Sequence, residues 1–281
     1  MFHRKKSLLL FLLPGLIILI LFYVAPFFEG FYYSMTDGTF YNRYVGFDNY
    51  GRLWRNQMFT LGLKNTILLS GIGALLLWLL SFLSALILQS VRHLRTSRSI
   101  FLMPYFLPSS VILLVWLVVF DFGGPVNKLL QSVGLERVMW LESADLRFTV
   151  LLMYLWKNFG VCLVVFLAGL QAIPVSLYEY ATLEGAGIFT KAFRITLPQI
   201  RPVAMWCLLL AWINAIRSFA DIYSISGAYP DEAVYTLQHY INNRLSRLDY
   251  QMATSAAFSF TVIIAVAWGI IFLARKSASE K

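Results

Sequence analysis

The sequence predicts an all-α integral membrane protein with six transmembrane helices and both termini in the cytoplasm. Of its 281 residues, 59% are hydrophobic and only 13% charged, about half the charged share of an ordinary soluble domain. Mean hydropathy is +0.69, and six apolar runs approach the roughly 20 residues needed to cross a bilayer. The basic residues between those runs fall unevenly on alternate sides, which sets the orientation.

The first run covers about residues 8–28, behind Arg4, Lys5 and Lys6. A basic stretch followed by an apolar one resembles a signal peptide. No small-x-small cleavage site follows it, however, and Ala25-Pro26-Phe27-Phe28 is too bulky for one, so a retained span is expected. Tyr32, Tyr33, Tyr41, Tyr44, Tyr50 and Trp54 crowd the region after it, as aromatics do at a membrane–water interface. The second span is expected over about 66–91 and the third over 100–120, where Pro104 and Pro108 should kink the start. The fourth, fifth and sixth follow at about 148–171, 203–222 and 252–274. Residues 1–281 are thus read as a single transmembrane domain, with a prominent cytoplasmic loop over 172–202.

With both ends inside, one face carries Arg4, Lys5, Lys6, Arg92, Arg95, Arg98, Lys191, Arg194, Arg201, Arg275, Lys276 and Lys281 against Glu179, Glu184 and Glu280. The opposite loops carry as many acids as bases. This asymmetry accounts for the net charge of +9 without a nucleic-acid partner. Cys162 and Cys207 both fall inside apolar runs and read as small buried hydrophobes. His3, His93 and His239 are scattered, so no metal site is expected. Neither a phosphate-binding Gly-x-x-x-x-Gly-Lys-Ser/Thr loop nor a catalytic triad is present, so the chain itself should bind no nucleotide and catalyse no reaction.

The loop between the fourth and fifth spans is the most informative segment. Pro174 ends one helix and lets a second start over Val175 to Leu183. Gly185 and Gly187 bracket a turn, and Phe189, Ala192 and Phe193 then give a short helix one apolar face. Pro198 and Pro202 introduce the next span. A helix–turn–helix with exposed apolar residues calls for a protein partner. Glu179, Ala181, Gly185, Ile195, Leu197 and Pro198 stand at the spacing Glu-Ala-Ala, three residues, Gly, about nine residues, Ile-x-Leu-Pro.

That pattern closely resembles the EAA loop of bacterial ABC-importer permeases. Glu184-Gly185-Ala186 replaces the usual Asp-Gly-Ala and keeps the acid, while Tyr180 stands where a small residue is common. The resemblance extends along the chain. It includes Val45-Gly46-Phe47-Asp48-Asn49-Tyr50, Lys64-Asn65-Thr66, Leu102-Met103-Pro104, Gly124 with Asn127, and Leu167 through Pro174. Together these are similar to the first of the two permeases in maltose-type and glycerol-3-phosphate-type carbohydrate systems. Gly227-Ala228-Tyr229-Pro230 departs from the Gly-Gly-x-Pro of many relatives.

The resemblance implies a type I ABC-importer permease architecture and a bacterial inner-membrane location. It implies a heterodimer with a second permease, two separate ATPase subunits that carry the ATP and magnesium, and an extracytoplasmic solute-binding protein. Glu179, Ala181, Glu184, Gly185, Ala186, Phe189, Phe193, Leu197 and Pro198 would form the coupling helix that docks on the ATPase.

Polar residues inside spans often line a pathway. The fourth span offers Trp156, Lys157 and Asn158, and the fifth Asn214, Arg217, Ser218 and Asp221. Arg217 and Asp221, four apart, could pair on one helix face. Lys157 and Arg217 could instead hydrogen-bond sugar hydroxyls or neutralise an acidic sugar. The leading reading is ATP-driven import of a carbohydrate. The alternatives are import of an acidic sugar or a sugar or glycerol phosphate, or a self-sufficient secondary transporter, against which the docking loop argues.

Overall fold

Long apolar runs with few glycines or prolines in their interiors leave a chain no choice in hydrocarbon: every backbone amide must bond within its own helix. The computed structural model of this protein describes residues 12–89, 94–142 and 145–279, apart from the side chains of residues 94–98, 109, 219 and 270–279. Arg4, Lys5, Lys6, Arg92, Glu280 and Lys281 lie outside the described residues, as do the side chains of Arg95, Arg98, Arg275 and Lys276. So do the first few residues of the first expected span. Among the described residues the secondary structure is helical, with an isolated antiparallel bridge between Thr36 and Tyr44. The contacts group the chain into two units, residues 1–63 with 237–281, and residues 64–236.

The first unit holds α1 (Leu12–Ser34), which contains a π-helical turn over Ile20–Val24, and α2 (Asp48–Trp54). It also holds the start of α3 (Gln57–Leu88). From Leu12 to Tyr23 the large apolar side chains of α1 are exposed, as befits a helix whose surroundings are lipid or another membrane helix. Past Pro26 the same helix packs on the last helix of the chain, Tyr250–Ser279, through Phe27 and Phe31 against Phe258 at ring distances of 5.0 and 5.3 Å. The C-terminal carbonyl of α1 is then satisfied from two directions. Asn49 Nδ2 donates to Ser34 O at 3.0 Å and Thr36 O at 2.7 Å, and Ser255 Oγ donates to Ser34 O at 3.2 Å. That is the physical work of the Val45–Tyr50 segment: it delivers a buried amide to a helix end.

The second unit is built on Lys64–Leu88 of α3, then α4 (Leu94–Phe106), α5 (Ser109–Val119), α6 (Pro125–Ser132) and α7 (Asp145–Leu170). After α7 come α8 (Val175–Leu183) and α9, a run over residues 188–199 with a π-helical middle at Lys191–Thr196. The unit closes with α10 (Arg201–Arg217) and α11 (Phe219–Ser226). In the first unit α12 (Leu237–Ser246) and α13 (Tyr250–Ser279) complete the chain.

Helix α7 is the centre of the second unit, with Met153, Tyr154, Cys162, Leu163, Phe166 and Leu170 buried. A Cβ on Gly160 would run into the backbone carbonyl of Phe101, so only glycine lets α4 lie directly on α7. On another side Trp78 Nε1 donates to Ala204 O at 2.8 Å and Tyr154 OH to Ala211 O at 2.6 Å, tying α3 and α7 to α10. Cys162 and Cys207 are buried free thiols in this core, as expected.

Among the described residues five helices are individually long and apolar enough to cross a membrane, and a bent pair, Ser99–Phe106 with Ser110–Val119, brings the number to six where the pair counts as one span. The two halves of that pair meet at 101°. The break lies at Leu107-Pro108, while Pro104 stays inside α4. The second span starts about nine residues earlier than expected, at Gln57, because Asn56 Oδ1 caps it by accepting from the Phe59 N–H at 3.1 Å.

Candidate functional site

The loop between α7 and α10 folds as two short helices locked at their crossing. Helix α8 ends where Gly185 takes φ +74°, a conformation that L side chains avoid. The Ala186 N–H then reaches back to Ala181 O at 2.9 Å and the Gly185 N–H to Thr182 O at 3.0 Å. These paired bonds satisfy two of the carbonyls a helix C-terminus leaves open. Tyr178 OH and Thr196 Oγ1 are hydrogen-bonded at 2.9 Å, and Lys191 Nζ donates to Thr182 Oγ1 at 3.0 Å. Ala181 and Ala192 are buried, so the loop is a formed unit rather than a tether.

What the loop presents outward is apolar. Leu183 is 84% exposed, Ile188 82%, Phe189 77% and Tyr180 68%. Burying them would release about 25 cal/mol per Å² of apolar surface. Leu183 and Ile188 were not singled out by sequence, because the apolar pattern does not tell a loop tip from a core position. The expected single face of Phe189, Ala192 and Phe193 is not formed. Across the π-helical turn Ala192 turns inward, and Phe193 packs towards Phe82 with rings 6.2 Å apart. Wider turns of that kind shift the register of side chains around the axis.

Glu179 and Glu184 are exposed and form no ion pair among the described residues. Glu179 sits one turn into α8, past its first turn, so its carboxylate faces outward rather than capping the helix end. Ala186 is half-buried under the turn. Leu197 packs into the core beside Ile200 and Ala204. Pro198 and Leu197, with Phe193, Trp78 and Arg201, border a cavity of about 400 Å³ where the loop meets α3 and α10.

A second, polar cavity of about 280 Å³ lies among α4, α7, α10 and α11. It gathers six of the seven pathway candidates: Lys157, Asn158, Asn214, Arg217, Ser218 and Asp221. Tyr105 joins them. Trp156 points elsewhere, edge-on to Trp116 at 5.8 Å. Tyr105 was missed because it looks like any aromatic in an apolar run; its position just before the Leu107-Pro108 break brings it to the cavity.

Asp221 does not pair with Arg217. Its partner is Lys157, whose Nζ lies 3.2 Å from both carboxylate oxygens, with side chains 19% and 13% exposed. The four-residue spacing predicts a pair only on an unbroken helix, and this helix is interrupted at Ser218 between α10 and α11. Asn158 Nδ2 donates to Tyr154 O at 2.9 Å and Ser218 Oγ to Ala215 O at 2.7 Å, which leaves both side-chain oxygens as acceptors towards the cavity. The bent pair of α4 and α5 and the interruption at Ser218 both border this polar cavity. Irregular backbone at membrane depth is tolerated where it lines such a space.

Residues 78–276 match the family described as binding-protein-dependent transport system inner membrane component. The chain is 30% identical to the trehalose/maltose transport system permease protein MalF of Thermococcus litoralis, over 97% of this chain and 94% of that one. It is 33% identical to the sulfoquinovosyl glycerol transport system permease protein SmoG of Agrobacterium fabrum, over 88% and 83%. Among solved structures it resembles a bacterial ABC transporter that imports the acidic polysaccharide alginate, with a TM-score of 0.78 and 26% identity over 94% of this chain and 93% of that one. The alginate transporter bound to a pentasaccharide-loaded periplasmic protein matches with a TM-score of 0.79 over 94% and 92%.

Proposed function

The chain belongs to the family of binding-protein-dependent transport system inner membrane components, and from that membership we propose that it is a permease subunit of an ABC importer for carbohydrates. It is a multi-pass membrane protein. The observation that carries the coupling role is the formed α8–turn–α9 loop with Leu183, Ile188 and Phe189 projecting from it. A tip that rigid and that apolar transmits force when it seats in a partner and loses little conformational entropy on docking.

The partners follow from this reading. A second permease completes the membrane pathway, and two ATPase subunits dock on the coupling loops and hold the ATP and magnesium. A solute-binding protein delivers the carbohydrate from outside. The loop and both termini then face the cytoplasm, in keeping with the basic residues on that side. Closure of the ATPase pair pushes on α8 and α9. Because α9 runs into α10 almost without interruption, the push reaches Arg217 at the far end of α10, about 24 Å along at 1.5 Å per residue, with Ser218 and Asp221 just beyond it. Alternating exposure of the polar cavity is the result.

The test is ATP hydrolysis by the complete complex in proteoliposomes, with and without binding protein loaded with solute. Hydrolysis should rise several-fold with the loaded binding protein. Uptake that proceeds at full rate without ATP would exclude the importer and favour a self-sufficient transporter.

A further inference from the structure

We propose that the polar cavity selects an anionic solute, a carboxylate, sulfonate or phosphate carried on a polyol, and that Arg217 is the residue that reads the charge. The inference rests on the transport function proposed above.

The charges in the cavity do not balance. Lys157 and Asp221 are matched to each other at 3.2 Å and are both largely buried. Arg217, on the same cavity wall, is exposed and forms no ion pair among the described residues. The cavity thus contains two cations and one carboxylate, and the exposed cation is a guanidinium. A planar fork of N–H donors matches a carboxylate or sulfonate through two parallel bonds, which an ammonium cannot do.

A neutral sugar needs donors and acceptors for its hydroxyls. The cavity supplies them without Arg217, through Asn214, Tyr105, and the acceptor oxygens of Asn158 and Ser218. A cation kept within a membrane span is costly unless it meets water or an anion, so Arg217 adds expense that a neutral substrate would not offset.

The experiment is uptake by proteoliposomes containing the complete complex, ATP and the binding protein. The probes are a galacturonate disaccharide, a sulfonated glycoside and sn-glycerol 3-phosphate, each beside its neutral counterpart: the carboxyl-reduced disaccharide, the hydroxyl glycoside and glycerol. At least one anionic probe should be taken up in preference to its neutral form. Arg217→Gln should reduce that uptake by about ten- to a hundredfold, the range expected for losing a hydrogen bond to a charged group, and Arg217→Lys should restore part of it.

Neutral probes carried as well as or better than the anions would overturn the charge preference while leaving an ATP-driven importer intact. Arg217→Gln complexes that carry the anion at the wild-type rate would overturn the role of Arg217. So would variants that lose the second permease, since Arg217 would then be pairing with a carboxylate of that subunit. ATP-independent uptake would instead sink the transport reading itself.

Discussion

At the scale of single residues, the Lys157–Asp221 pair is the best-defined electrostatic feature of the protein. Removing one member of a largely buried pair leaves the other charge without compensation, at a cost of about 3 kcal/mol. Lys157→Met should therefore lower the unfolding midpoint of the purified complex more than the double variant Lys157→Met/Asp221→Leu. Equal and additive effects of the two substitutions would show that the pair does not couple α7 to α11. His239 gives a second prediction. It is fully buried on α12, outside the candidate spans, and burial lowers its pKa from 6.5 to about 4. The unfolded chain therefore binds a proton that the folded chain refuses, so stability is whole above about pH 6.5 and falls steadily towards about pH 4. Unfolding midpoints measured across that window should decline in the wild type and flatten in His239→Asn. Apart from Tyr105, the residues of the polar cavity were legible as polar positions in apolar runs; their pairing was not. Sequence spacing proposed Arg217 for Asp221, and the interruption at Ser218 gave the carboxylate to Lys157 instead.

At the scale of elements, the loop between α7 and α10 was readable where backbone chemistry dictates it. Gly185 announced a turn, and φ +74° with its two back-bonds is that turn. A Cβ on Gly185 would meet nothing within 4 Å, so Gly185→Ala carries only the left-handed backbone penalty of about 1–2 kcal/mol. It should lower solute-stimulated ATP hydrolysis without abolishing it. Gly185→Pro, which also removes the N–H bonded to Thr182 O, should abolish it; equal activity in both variants would show that the turn does not transmit force. The side-chain directions in α9 were beyond reach, because a π-helical turn has no sequence signal strong enough to reset the helical period. The third span shows the same limit. Pro104 and Pro108 both marked bending, yet only Pro108 breaks the helix, and the bend of 101° was not foreseeable from spacing.

At the scale of the whole molecule, composition and hydropathy were sufficient for a multi-pass helical membrane protein, since hydrocarbon admits so few backbone solutions. Span boundaries shifted where a cap or a polar contact outweighed hydropathy, as Asn56 does before α3. The division into two contact units follows from long-range packing, such as Phe258 against Phe27 and Phe31, which no local pattern encodes. The central claim is that the apolar tip of the loop is the seat of a separate ATPase. Its most direct measurement is the amount of ATPase retained when the complex is purified through this chain, compared between wild type and Leu183→Asp/Phe189→Asp. Both side chains are exposed, so the variant should fold and keep the second permease while losing the ATPase subunits. Full retention of the ATPase by the variant would contradict the account.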